Sequence, residues 1–152
     1  MENKKQQLKK LKNERGLTLV ELLAVIVILG IISTIAFVMI GNVMDNAKKD
    51  AQIANAQQLI ASAKLYEASG NDIKDSVTAE DLHDGDFIED IVDPWNKEKI
   101  NMETSKVMKD ENGEYTVTIV VTEGGKGNIN GASEGELRGT GDTDPRDLID
   151  KE

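Results

Sequence analysis

Arg15-Gly16-Leu17-Thr18-Leu19-Val20-Glu21-Leu22-Leu23 opens an apolar run that continues to Ile40, with Glu21 its only charge. From Leu17 the run is 24 residues long. As a helix it would measure about 36 Å, enough to cross a hydrocarbon core of roughly 30 Å. The run therefore reads as a membrane span. An acid at the centre of a bilayer costs roughly 2.5–3.5 kcal/mol on insertion scales. Glu21 lies only one turn inside the span, where snorkelling lowers that cost, yet a plain anchor would gain by placing leucine there. Something must compensate for the carboxylate. Cleavage between Gly16 and Leu17 would create a partner, because the new α-ammonium of Leu17 would lie in the same apolar layer. The pair could form within one helix, where positions i and i+4 are neighbours, or between two copies of the chain.

The short lysine-rich leader, Gly16, Leu17, Thr18-Leu19, Glu21 and the apolar helix behind them resemble the class III signal of type IV prepilins and pseudopilins. The resemblance rests on about 25 residues. It implies that a membrane-embedded prepilin peptidase cuts after Gly16 and methylates the new N-terminus at Leu17. It also implies that Glu21 neutralises the terminus of a neighbouring subunit during assembly. The implied partners are further copies in a homo-oligomeric helical filament, an inner-membrane assembly platform, other pilins, and membrane lipid before assembly. Many members carry phenylalanine where this chain has Leu17, and many close a C-terminal loop with a disulfide, whereas this chain has no cysteine. The resemblance leaves the machine open: a surface pilus, a type II secretion pseudopilus or a competence DNA-uptake filament.

Charge supports the orientation. The net charge is −10 over 152 residues, but residues 1–16 carry six cations against two acids. The other 12 cations and 26 acids leave the remainder at −14. The positive-inside rule places the leader in the cytoplasm and the C-terminal body outside. A span this long, with no small-residue cleavage pattern after Ile40, argues against an ordinary secretory signal. An acidic body repels phosphate, so no direct contact with nucleic acid is expected. A domain without cysteine excludes thiol catalysis and thiolate metal sites.

The first proline is Pro94, and Gly41 is the only glycine between Gly30 and Gly70. A helix continuous from Leu17 to about Ser69 is expected, some 80 Å by helical rise. Its second half differs in kind. Ile53, Ala56, Ile60 and Ala63 form one stripe, and Val43, Ala47, Ala54, Ala61 and Leu65 form another. Two apolar faces fit one partner sheet and one set of neighbouring helices, while alanine's helix propensity is the plainer explanation. Both readings stand at this point.

Ser69-Gly70-Asn71-Asp72 ends the helix, and Thr78-Ala79-Glu80-Asp81 reads as a capping box opening a short helix that Gly85 closes. Asp93-Pro94-Trp95 resembles a turn of the major pseudopilin and related pilins, and Trp95 is read as structural cover for a small core. Lys99 to Lys109 is expected as a strand, followed by a turn containing Asn112-Gly113. On the return strand Tyr115, Val117, Ile119 and Val121 should face the long helix. From Gly124 to Thr143 seven of twenty residues are glycine, so a loop or tail is expected there.

The fold expected is α+β: a long N-terminal helix with a small antiparallel sheet packed on its second half. The expected divisions are a leader (1–16), an assembly helix (17–40), its amphipathic continuation (41–70), a small head (71–123) and a Gly/Asp-rich loop or tail (124–152). His83 has no nucleophilic context, so no enzyme, catalytic residue or cofactor is expected. Asp142, Asp144 and Asp147 supply oxygens of the kind Ca²⁺ prefers, but without EF-hand spacing they read as a solvated acidic tail, and no metal site is assigned. The function expected is a structural filament subunit. It would be a single-pass membrane protein before assembly and part of a cell-surface or extracellular filament after it. A membrane-anchored binding module that does not assemble is the alternative from another class.

Overall fold

The structure, a computed structural model, describes the backbone of residues 2–122 and 125–150 and side chains from Thr18 onward. The chain divides into two compact units, Met1–Met44 and Asp45–Glu152. Helix α1 is assigned over Glu2–Ala68.

Among the side chains described in the first unit, from Thr18 to Met44, α1 is largely apolar on every side. Eighteen large apolar side chains between Leu19 and Met44 are each more than half exposed, with Phe37 the most open at 84%. Burying one such side chain is worth about 1.5–3 kcal/mol, so the segment gains greatly from a medium other than water. A segment of α1 starting at Thr18 is long and apolar enough to cross a membrane, and none of its most apolar window is buried. Two hydroxyls inside it are satisfied by the helix itself: Ser33 Oγ donates to the Leu29 carbonyl at 2.7 Å and Thr34 Oγ1 to that of Gly30 at 2.8 Å. Such back-bonding lets a polar side chain sit in an apolar layer.

The second unit is an α+β head. The last part of α1 ends where Gly70 takes φ +97°, a left-handed conformation that favours glycine, and the Gly70 N–H donates to the Glu67 carbonyl at 3.0 Å. Four antiparallel strands follow in simple order: β1 (Ser76–Thr78), β2 (Lys106–Lys109), β3 (Tyr115–Ile119) and β4 (Ile129–Ser133). Between β1 and β2 lies the short helix α2 (Ala79–Asp84), and beyond β4 come α3 (Glu134–Leu137) and a 3-10 turn at Pro145–Leu148. The sheet is a meander in which Val77 pairs with Val107, Val107 with Val117 and Val117 with Ala132, all four at most 4% exposed. That row of small and β-branched side chains meets Ala56, Leu59, Ile60 and Ala63 of α1 in one core.

Local signals act as expected in several places. Thr78 caps α2 and Asp81 reaches back to the Thr78 N–H, a complete capping box. Val117, Ile119 and Val121 are buried, and Tyr115 reaches α1 through its hydroxyl, which donates to Glu67. The β2–β3 connection is a three-residue loop, not a two-residue turn: Asp110 N–H donates to the Glu114 carbonyl, Gly113 N–H donates to the Asp110 carbonyl, and Gly113 takes φ +84°.

Two expectations are corrected. The strand expected over Lys99 to Lys109 is broken, because the Asn101 carbonyl and side chain accept from the Ser105 and Thr104 N–H groups and curl the chain. Only Lys106–Lys109 belongs to the sheet, while Lys99 makes an isolated bridge to Val92. The second correction is larger. The segment read as a Gly/Asp-rich loop or tail (124–152) contributes an edge strand, a capped helical turn and a 3-10 turn, and it buries Ile129, Ala132, Leu137, Leu148 and Ile149. The β3–β4 register passes from Val117–Ala132 to Ile119–Ile129, so Asn130 and Gly131 together face Thr118. This bulge interrupts the alternation by which strands are recognised.

Candidate assembly site

The helical period distributes the first unit's residues around α1. Glu21, Val25, Ile28, Ile32, Ile35 and Met39 follow one another at intervals of four and three, which places them along one stripe. Gly30, Thr34 and Gly41 lie roughly opposite. Glu21 thus stands at the head of a stripe of branched and flexible apolar side chains, and it is exposed, as are its neighbours. Among the described residues Glu21 has neither a hydrogen-bond nor an ion-pair partner. The other two residues singled out by sequence, Gly16 and Leu17, lie outside the residues whose side chains are described.

In the head, α1 shows the two stripes separately. Ile53, Ala56, Ile60 and Ala63 are buried against the sheet, while Ala47, Ala54, Ala61 and Leu65 face outward, Leu65 at 56% exposure. The first stripe is explained by the sheet. The second is not buried by any of the described residues of the head.

What fixes this face of α1 is a set of polar ties that sequence reading missed. Gln52, fully buried, donates to the Gly127 carbonyl at 2.6 Å and accepts from Asn55, which also donates to the Val92 carbonyl at 3.0 Å. Arg146 closes on Asp50 with two parallel contacts of 2.7 and 2.8 Å, a fork geometry specific to arginine and carboxylate. Lys64 and Arg138 both reach Glu134, at 2.5 and 2.6 Å, and Lys109 reaches Glu67 at 2.5 Å. These contacts hold the Asp50, Glu67 and Glu134 carboxyls below their usual range, the hydrogen bonds from Arg146, Lys109 and Lys64 being the main causes. The Lys109 ammonium is held above its usual range by Glu67, and so is the Tyr115 phenol. None of these ties is announced by a spacing rule across the chain, although the turn that carries Glu134 left a local signal in the Ser133-x-x-Glu136 capping box that opens α3.

The Asp-Pro-Trp turn is structural. Asp93 is buried and its carboxylate accepts from the Trp95 N–H at 2.9 Å. The Trp95 ring lies against Gly127, where an added Cβ would come within 2.9 Å of it. Among the described residues no group of three or more His, Cys, Asp or Glu side chains is placed to hold a metal ion. Asp144, one of the three acids with Ca²⁺-type oxygens, instead accepts from the Arg146 N–H and caps the 3-10 turn.

Residues 11–37 match the family described as the prokaryotic N-terminal methylation motif. No curated protein and no solved structure matches the chain. The chain therefore carries the class III signal typical of type IV prepilins and pseudopilins. Its fold, a long N-terminal helix with a four-stranded antiparallel sheet packed on it, is pilin-like. Proteins of this kind are typically structural rather than enzymatic.

Proposed function

We propose that the protein is a structural subunit of a type IV pilus-like filament, made as a prepilin, cleaved after Gly16 and N-methylated on Leu17. One observation carries the reading: the methylation motif covers the start of an apolar stretch that runs to Ile40 and bears a single acid, Glu21, five residues after Gly16. Before assembly the helix rests in the membrane, leader inside and head outside. On assembly it leaves lipid for a bundle of like helices, and Glu21 meets the terminal ammonium of Leu17. The exposed Ala47, Ala54, Ala61 and Leu65 stripe supports the same reading, because small side chains allow neighbouring helices a close approach. The partners are further copies, other pilins, the assembly platform and the prepilin peptidase.

A pseudopilin of a type II secretion or competence DNA-uptake system uses the same chemistry, and the Asp93-Pro94-Trp95 turn, which resembles one in the major pseudopilin and in related pilins, fits either machine. A net charge of −14 on the mature chain makes any part in DNA uptake indirect.

The test is intact mass and N-terminal sequencing of the protein from its native host, taken from membranes and from sheared surface material. A chain beginning at methylated Leu17 in the sheared fraction is expected for a surface filament, and in membranes alone for a short pseudopilus. A chain that retains Met1 to Gly16 would mean an ordinary anchor and end the proposal.

A further inference from the structure

The sequence holds two Asn-Gly pairs, Asn112-Gly113 and Asn130-Gly131. Such pairs are chemically weak points. The main-chain nitrogen of the glycine can attack the asparagine Cγ, and the missing Cβ removes the steric block that any other residue would present. The new bond from nitrogen to Cγ closes a five-membered imide, the bond from Cγ to Nδ2 breaks and ammonia leaves. Water then opens either imide carbonyl, giving aspartate or isoaspartate. The step needs no oxidant, metal or enzyme, only a free side chain and a main chain able to swing onto it.

The two pairs differ in both respects. At the β2–β3 loop the Asp110 carboxylate straps the asparagine down. It accepts from the Asn112 N–H at 2.9 Å, from Asn112 Nδ2 at 3.2 Å and from the Glu114 N–H at 2.7 Å. The attacking nitrogen, Gly113 N, is itself held on the Asp110 carbonyl at 3.0 Å. At the β4 bulge the side chain of Asn130 is exposed and, among the described residues, makes no hydrogen bond. Gly131 N–H donates to a side-chain hydroxyl, Thr118 Oγ1, at 3.2 Å. Gly131 takes φ +64°, with nothing within 4 Å of where a Cβ would stand. Regular strand pairing normally protects such a pair by fixing the main chain, but the bulge lifts Asn130 and Gly131 out of the ladder.

We propose that Asn130 is a self-modification site, converted to aspartate and isoaspartate by Gly131, and that Asn112 is spared. Either product adds a carboxylate to an already acidic head. Isoaspartate also lengthens the β4 main chain by one methylene beside Ile129 and Ala132, both buried. The modification would therefore loosen the edge strand.

The experiment is incubation of the full chain in detergent at mildly alkaline pH, with peptide mass mapping and enzymatic detection of isoaspartate over time. Conversion of Asn130 several times faster than Asn112 in the folded protein is expected, with the two rates converging in strong urea. Loss of all conversion in that peptide on Asn130→Gln, with the fold retained, is expected too. Equal or faster conversion at Asn112 in the folded protein, or an Asn130 that stays intact when folded yet converts in urea, would overturn the proposal.

Discussion

The two parts of α1 are both helical and both rich in apolar residues, yet they solve different problems. Between Leu19 and Met44 the large apolar side chains point in every direction and all are exposed, whereas from Ile53 to Ala63 the buried ones keep to one stripe against the sheet. Helical periodicity alone does not separate them. What does is whether the helix has a buried face with a polar one opposite, and among the described residues between Leu19 and Met44 none is buried and few are polar. The second part is stabilised by its own sheet. The first requires a medium that other molecules supply, lipid or like helices.

The strongest way to break this contrast is at Gly16 and Glu21. If the first unit serves assembly, Gly16→Trp should leave unprocessed precursor in the membrane. Glu21→Ala should be processed normally but enter filaments poorly or not at all. Both are read by immunoblot of membrane and sheared fractions, and the melting of the head should stay unchanged. Filaments at normal yield from both variants would remove Glu21 from the mechanism.

Truncations sharpen the contrast next. Leu59 is fully buried between α1 and the sheet, and its removal should cost about 2–5 kcal/mol, the usual range for leucine to alanine in a core. Ile28→Ala, more than half exposed in the first unit, should leave the head's unfolding where it was. Trp95, the only tryptophan and half-buried in the head, makes its fluorescence the reporter for both variants in detergent. Equal destabilisation by the two would mean that the units are not separate in stability.

Gly127→Ala tests the C-terminal segment. The residue sits at φ +114° with the Trp95 ring where a Cβ would go, so both main-chain strain and contact oppose alanine. A cost of about 1–3 kcal/mol is expected from strain of this kind. An unchanged melting temperature would show that this segment adds nothing to the head.

The parts of the molecule legible in sequence were those governed by local rules. The span, the stop at Gly70, the Thr78 capping box and the inward face of β3 follow from periodicity and capping. The segment 124–152 was not legible, since β4 holds only Ile129 and Ala132 as buried apolar residues and its bulge breaks the alternation between them. Its other anchors are long-range: Arg146 finds Asp50, and Asp150 accepts from the Gly127 and Asn128 N–H groups at 2.8 and 3.0 Å. No spacing rule announces a pair ninety-six positions apart. The motif was legible for the opposite reason, as its chemistry is compressed into consecutive residues.

The smallest expected effect is on pH. The Asp50, Glu67 and Glu134 carboxyls are held below their usual range in the folded head, chiefly by hydrogen bonds from Arg146, Lys109 and Lys64. A carboxyl with a depressed folded pKa contributes stability that is present above its unfolded pKa and lost as pH falls through the folded one. The head should therefore hold its melting temperature from neutral pH down to the ordinary carboxylate range and lose some of it below. All three pairs are partly open to solvent, so screening keeps each contribution small. Asp50→Asn should remove its own part of the acid slope and, because Arg146 carries the C-terminal turn, speed amide exchange near Leu148 and Ile149. The first unit offers a control: Glu21→Gln should leave the acid slope of the head as it is. An acid slope that persists undiminished when Asp50, Glu67 and Glu134 are all replaced by their amides would place its origin elsewhere in the head.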